Sequence, residues 1–379
     1  MVKQKEFFGY NSIRKIEEIL EGENVKRVFL VTGKTSFKLS GAEDSLKDIL
    51  SDYYVFRFYN FEENPKIEDV EKGLKLFLED SYDIVIAVGG GTVIDIAKLI
   101  NTFSAQEGDI IDYLKGDKEI RNQGGKPLIA VPTTSGTGSE ATHFSVVYVN
   151  KTKHSIAHDF MLPKYSIVDP ELTFSLSPKI TASTGIDALS QAIESYWCIN
   201  STDESKKYAK KAMKLVLSNL EDTVKNPTKE SRSAMARAAN LAGKAINITK
   251  TTAPHAISYP FTSYFNIPHG HAVGLALGKI LVYNSNLSED ECTDSRGIDY
   301  VKKTINELTE MIGSKTPKDA SNKIYSLMRS IGLKTKLSEI GLEKNSIGVI
   351  IQNTNEERMT NNPRTLNKEE IRKIIEEIF

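Results

Sequence analysis

The sequence predicts an α/β domain followed by an all-helical one, and three observations carry that prediction. Short apolar runs alternate with helical patterns as far as Asp169-Pro170, the rhythm of an open sheet covered by helices. Two of the runs end in loops made mostly of glycine and hydroxyl residues, and such loops at strand ends mark the crevice where an open sheet binds its ligand. Beyond Asp169-Pro170 the alternation stops and helical patterns dominate. With 379 residues the chain is long enough for two domains with a large buried core. They are expected over 1–180 and 181–379, with the boundary near Thr181.

In order, Phe7-Phe8-Gly9-Tyr10-Asn11-Ser12 leads into a helix ending near Gly22, and Val28-Phe29-Leu30-Val31-Thr32-Gly33 reads as the first strand. Its unbroken apolar character suits a strand buried on both faces. A second strand is expected over 53–59, an amphipathic helix over 69–78 and a third strand over 83–88. That third strand runs into Gly89-Gly90-Gly91-Thr92-Val93-Ile94-Asp95-Ile96-Ala97-Lys98. Glycines between a strand and a helix let backbone approach a ligand closely, and the helix start offers free N–H groups to a pyrophosphate. The same turn also reads as a plain tight connection, and its spacing is neither Gly-x-Gly-x-x-Gly nor a Walker loop. A further strand, Leu128-Ile129-Ala130-Val131-Pro132, enters Thr133-Thr134-Ser135-Gly136-Thr137-Gly138-Ser139-Glu140. A hairpin is expected around His154 and His158, which read as surface residues. Helical patterns then cover 185–196, 204–220, 229–246, 299–312, 317–331 and 368–378.

Lys and Arg total 49 against 50 Asp and Glu, a net charge of −1. That balance gives no electrostatic footprint for nucleic acid or an anionic membrane. No run is long and apolar enough to span a bilayer, and no signal-peptide core is seen. The two cysteines, Cys198 and Cys292, stand far apart, which fits a reducing compartment better than a disulfide framework. A cytoplasmic globular protein is the expectation.

The stretch Thr184–Trp197 organises the second half. Past Gly185 it reads as a helix with Ile186, Leu189 and Ile193 as its apolar stripe. Asp187 and Gln191 stand four apart, so both side chains leave one face and can point at one object. A metal ion and a buried polar network both suit such a pair. Two histidines follow, His255 in Ala-Pro-His-Ala and His269 in Ile-Pro-His-Gly.

Together these motifs resemble the iron-dependent, or group III, alcohol dehydrogenases. The likeness runs nearly end to end, through Phe8-Gly9, Asn64-Pro65, the glycine turn, the threonine loop, Asp169-Pro170, the Thr184 stretch and Asn362-Pro363-Arg364. It implies a dehydroquinate-synthase-like fold, an NAD(P) cofactor and a divalent metal. By that resemblance Gly90, Gly91, Thr92 and Asp95 hold the cofactor pyrophosphate, and Thr133, Thr134 and Thr137 line its nicotinamide end. Lys153 and Leu172 fall where the family also contacts cofactor. The family's metal set of one aspartate and three histidines carries over to Asp187, Gln191, His255 and His269. Gln191 departs from the pattern. Its amide oxygen can bind a divalent ion but is neutral and a weaker donor than imidazole, so Fe²⁺ stays favoured with Zn²⁺ and Mn²⁺ open. Tyr259 is a second departure, standing where many relatives place a proton-relaying histidine.

Many relatives end the first strand in an aspartate that meets the adenosine ribose. Here Gly33 and Lys34 remove that carboxylate and add a cation, which favours NADPH slightly, unless Gly33 only makes a turn and Lys34 is solvated. The run from Ala245 to His255 is similar to a branch tied to phosphonate biosynthesis, the phosphonoacetaldehyde reductases. It places Lys250 five residues before His255, with Thr251 and Thr252 between. A cation and hydroxyls suit a phosphonate head, with Arg364 as a second donor; a solvated or helix-capping Lys250 is the other reading. His143 is a candidate for the substrate pocket, and His271 for either that pocket or packing. The expected activity is reduction of a small aldehyde, phosphonoacetaldehyde to 2-hydroxyethylphosphonate, with NAD(P)H and a metal; a homodimer is the family's habit. The rivals are a general short-chain alcohol dehydrogenase, a dehydroquinate-synthase-like lyase and a catalytically weak nucleotide sensor.

Overall fold

The structure, a computed structural model, describes residues 4–123 and 125–379. The chain divides into two compact units between Leu176 and Ser177. The first begins β1 (Lys5–Phe8), α1 (Lys15–Gly22), β2 (Arg27–Thr32), α2 (Ser36–Leu39), α3 (Ala42–Lys47), β3 (Tyr54–Phe58) and α4 (Ile67–Leu78). It continues β4 (Ile84–Gly89), α5 (Gly91–Phe103), α6 (Ile110–Lys115), β5 (Leu128–Pro132), β6 (Phe144–Val149), β7 (Thr152–Ala157) and β8 (Tyr165–Val168). Six strands make one parallel sheet in the order β1-β8-β5-β4-β2-β3, while β6 and β7 form an antiparallel hairpin.

Both sheet faces are covered, which explains the unbroken apolar runs. Phe29, Val31, Val85, Ala87 and Ala130 pack on one face with α4 and α5. Their chain neighbours Val28, Leu30, Ile84, Ile86, Ile129 and Val131 pack on the other, with Ile16 and Leu20 of α1 and Leu46 of α3. Alternate residues go to opposite faces because the side-chain period of a strand is two. Two strands were not expected from the sequence, β1 and β8, each only four residues long. β1 lies at the sheet edge and begins Lys5-Glu6, so it lacks the apolar run that marks the buried strands. His154 and His158 are half-buried rather than exposed, and burial lowers the His154 pKa.

The second unit is helical: α7 (Pro178–Trp197), α8 (Asp203–Lys225), α9 (Lys229–Thr249), α10 (Ala253–Phe265) and α11 (His269–Ser285), then α12 (Ile298–Met311), α13 (Pro317–Ser330), α14 (Ser346–Gln352), α15 (Glu356–Met359) and α16 (Lys368–Glu376). α7 lies at its centre, packed against α8, α9, α11 and α12, and is buried over nearly its whole length. It starts well before Gly185. Ser177 caps it and Pro178 takes the first turn, where a missing N–H is not needed. Thr181, the expected start of the second domain, is already inside this helix. Gly185 is small for a packing reason: a Cβ there would lie 2.2 Å from Leu220 of α8.

α10 and α11 were not read as helices from the sequence. Both are apolar and buried all round, so they carry no amphipathic period. α10 also holds Pro260, which cannot donate to the Ala256 carbonyl one turn back. The N–H of Asn355 takes that carbonyl instead, at 3.3 Å.

Candidate active site

The helices of the second unit bring the four expected metal residues from three elements. Asp187 and Gln191 project from successive turns of α7, His255 is the third residue of α10, and His269 opens α11. Ligand atoms of Asp187, His255 and His269 all lie within 4.8 Å of one another. Asp187 Oδ1 and His255 Nε2 are 3.4 Å apart, and the two imidazole centroids are 5.3 Å apart. Neighbouring ligands of a tetrahedral ion with bonds of ~2.1 Å stand about 3.4 Å apart. Gln191 is buried, and its Oε1 meets no hydrogen-bond donor among the described residues. A buried acceptor left without a donor costs about 1–3 kcal/mol, and a cation bound by it would remove that cost. One carboxylate, one amide oxygen and two imidazoles fit a divalent ion of intermediate hardness.

Glu194 completes the arrangement, and sequence reasoning missed it. It is fully buried on α7, one turn beyond Gln191. Its Oε1 accepts from the Thr252 N–H and Thr252 Oγ1, both at 3.0 Å, and from the His255 N–H at 3.3 Å. Its Oε2 is in close contact with His255 Nδ1. With the Nδ1 proton directed to Glu194, Nε2 faces the Asp187 carboxylate, and a proton or a metal cation can stand between them. Burial opposes a charged imidazole, yet the Glu194 and Asp187 carboxylates outweigh it and push the His255 pKa up to about 9. The site is built to hold positive charge. The signal for Glu194 was its spacing, seven after Asp187 and three after Gln191 on one helix face.

Gly270 sets how closely α11 meets α7. A Cβ there would stand 2.0 Å from the Ser183 carbonyl oxygen and 2.8 Å from Asp187 Cβ. Tyr259 lies one turn after His255, buried, with its ring centroid 6.4 Å from that of His269. Lys250 ends α9 at φ 64 and ψ −178, a backbone region open essentially to glycine alone. The flanking contacts hold it there. Thr249 Oγ1 donates to the Lys250 carbonyl at 2.8 Å, Cys198 Sγ to the Thr249 carbonyl at 3.1 Å, and Trp197 Nε1 to Thr252 Oγ1 at 2.9 Å. The half-buried Lys250 side chain has no carboxylate partner among the described residues.

Other expectations change. Arg364 is not a spare donor: it pairs with Glu291 at 2.9 Å, donates to the Tyr283 carbonyl at 2.6 Å and stacks on the Tyr283 ring. His271 is buried, with Nε2 2.7 Å from the Lys334 carbonyl, so packing is its role. His143 is half-buried at the base of the hairpin, its carbonyl accepting from the His158 N–H at 3.0 Å.

In the first unit, Gly90 is the N-cap of α5 and no side chain among the described residues caps that helix start, which leaves it open to an anion. The threonine loop packs on the glycine turn, with Thr134 and Thr137 methyls 3.4 and 2.7 Å from where Cβ atoms would stand on Gly90 and Gly91. Gly90, Gly91, Thr92, Thr134 and Thr137 are all half-buried. Thr133 is buried, its N–H donating to the Gly89 carbonyl at 3.0 Å, so it joins the two loops. Asp95 is buried and accepts from Ser139 Oγ at 3.1 Å and the Val146 N–H at 3.3 Å. It pins the threonine loop to α5. Leu172 is buried in the core cluster that also holds Val28, Ile86 and Val131. Lys153, on β7, stands 6.0 Å from the Tyr148 ring.

Comparison with known proteins identifies the family. Residues 4–170 match the family described as iron-containing alcohol dehydrogenase, and residues 181–379 match its C-terminal part. A long-chain-alcohol dehydrogenase of Geobacillus thermodenitrificans is 33% identical over 279 residues, 73% of this chain and 70% of that protein. A phosphonoacetaldehyde reductase of Streptomyces viridochromogenes is 31% identical over 303 residues, 78% of this chain and 76% of that one. The crystal structure of sulfoacetaldehyde reductase from Bifidobacterium kashiwanohense in complex with NAD+ superposes with a TM-score of 0.88 at 31% identity, covering 100% of this chain and 97% of that one. The chain therefore belongs to the iron-containing alcohol dehydrogenases, a family of metal-dependent, NAD(P)-linked alcohol dehydrogenases and aldehyde reductases.

Proposed function

We propose that this enzyme reduces a small aldehyde bearing an anionic head, phosphonoacetaldehyde, to its primary alcohol, with NADPH as reductant and Fe²⁺ as the metal. The observation that carries the substrate is Lys250, a half-buried lysine without a carboxylate partner among the described residues, held in a strained backbone conformation. Strain of that kind persists where surrounding structure over-determines it, and it clusters at functional sites. Two relatives named for aldehydes with phosphonate or sulfonate heads support the same class.

Asp187, Gln191, His255 and His269 would hold the metal. When bound, it polarises the aldehyde carbonyl while the reduced nicotinamide supplies the hydride. The chain supplies the rest. Glu194 keeps a proton on His255 Nδ1 and orients that ring. Tyr259 passes a proton toward the product alcohol. Lys250 draws the charged head by a charge-assisted hydrogen bond, and Thr251 beside it offers a hydroxyl. The two free cysteines support a cytoplasmic setting.

Initial rates of NADPH oxidation test the substrate. A charge-assisted bond is worth about 10–100-fold in kcat/KM, so phosphonoacetaldehyde should exceed propanal and acetaldehyde by about that factor. Lys250→Ala should lose that preference and leave propanal within about twofold, since the bond forms only with the charged head. Lys250→Gly should lose the preference too, while gaining about 1 kcal/mol of stability as the strain is relieved. Equal specificity constants for charged and uncharged aldehydes would mean a general short-chain alcohol dehydrogenase. A clear preference for sulfoacetaldehyde would keep the anionic class and overturn the phosphonate.

A further inference from the structure

We infer that Arg57, on β3, reads the 2′-phosphate of NADPH; this rests on the cofactor named above and identifies the residue behind it. The sheet register places the site. Thr32 of β2 pairs with Val88 of β4, so Gly33 stands level with Gly89, where the glycine turn begins. A dinucleotide whose pyrophosphate sits at the α5 start runs along the strand ends, and one ribose reaches the end of a neighbouring strand. On the β5 side that end carries the threonine loop. On the β2 side it is Gly33, with no side chain.

Where an NAD site places a carboxylate to bond the ribose hydroxyls, an NADP site places an arginine nearby. Arg57 lies one strand further out, paired with Leu30 of β2. Its side chain reaches back over the end of β2, with Nε 2.8 Å from Thr32 Oγ1 and Nη2 3.4 Å from the Gly33 carbonyl. The guanidinium lies 4.5 Å from the Phe37 ring and 4.8 Å from the Tyr59 ring, so aromatic faces fix it in place. The Glu43 carboxylate is 3.3 Å from Nη1, with both side chains partly exposed, and a pair of that kind is weak. Thr32, Gly33 and Glu43 engage three of the five guanidinium N–H groups, which leaves two for a phosphate. A phosphate binds such a fork in two-point fashion and more strongly than one exposed carboxylate does. Exposed Lys34 adds a second cation beside Gly33.

The test measures dissociation constants of NADPH and NADH by nicotinamide fluorescence on the full chain, for the unmutated protein, Arg57→Gln and Glu43→Gln. The unmutated protein should bind NADPH about tenfold more tightly than NADH, Arg57→Gln should lose about that factor for NADPH alone, and Glu43→Gln should tighten NADPH by freeing the fork. Glu43→Gln leaves the Arg57 packing intact, so it reads the same contact if Arg57→Gln folds poorly. Equal affinity for both cofactors in the unmutated protein would overturn the NADPH reading and Arg57 with it. A phosphate preference that survives in Arg57→Gln and is unmoved by Glu43→Gln would overturn Arg57 alone and leave the cofactor reading standing.

Discussion

His269→Ala is expected to lower kcat by about 10³-fold, because a metal's charge stabilisation is worth several kcal/mol and each 1.4 kcal/mol is tenfold. The fold should survive, since His269 is half-buried at the start of α11. His255→Ala should lose the same activity and destabilise the second unit as well. It would leave Glu194, fully buried, without the imidazole its Oε2 contacts. Breaking a buried charged pair from one side costs about 3–5 kcal/mol. Thermal melts of the two variants therefore separate the roles: His255→Ala should melt clearly below His269→Ala. Equal melting points would show that Glu194 does not depend on His255.

Gly270→Ala is the second large effect, and it comes from one methyl group. The new carbon would overlap the Ser183 carbonyl at 2.0 Å. That neighbour is helix backbone, which cannot swing aside as a side chain can, so α11 must move off α7. Overpacking of this kind costs about 1–3 kcal/mol. The displacement also carries His269 away from Asp187, and a misplacement of about 1 Å can cost 10²-fold in rate. The variant should thus bind metal poorly and turn over at about 1% of the unmutated rate. Normal metal content in a stable Gly270→Ala protein would show that α11 does not position the site.

The fold class was legible because its signals are local. Strands buried on both faces are apolar throughout, and glycine or hydroxyl loops announce their ends. Where a signal was missing there was a physical reason. β1 is short and charged at an edge, and α10 and α11 are buried all round, so neither shows a period. The start of α7 was hidden because Gly185 looked like a boundary and is a packing contact with Leu220. In the site, Asp187 and Gln191 share a helix face and could be paired from spacing alone. His255 and His269 could not, because α10 and α11 meet α7 only in three dimensions; family resemblance supplied them. Asp95 shows the converse. A polar residue beside a phosphate loop reads as a ligand from spacing, and spacing cannot show that its two oxygens are bonded to Ser139 and Val146.

The central claim is a metal-dependent reductase whose ion is held by Asp187, Gln191, His255 and His269. It is tested most directly by stripping the full-length protein with a chelator, restoring Fe²⁺ under anaerobic conditions, and measuring bound metal and NADPH-dependent aldehyde reduction on one sample. The account predicts about one metal ion per chain, as one cluster of converging ligand atoms requires, loss of activity on stripping, and recovery in step with bound metal. Full aldehyde reduction by the stripped protein, or metal bound equally well by His255→Ala, would contradict it.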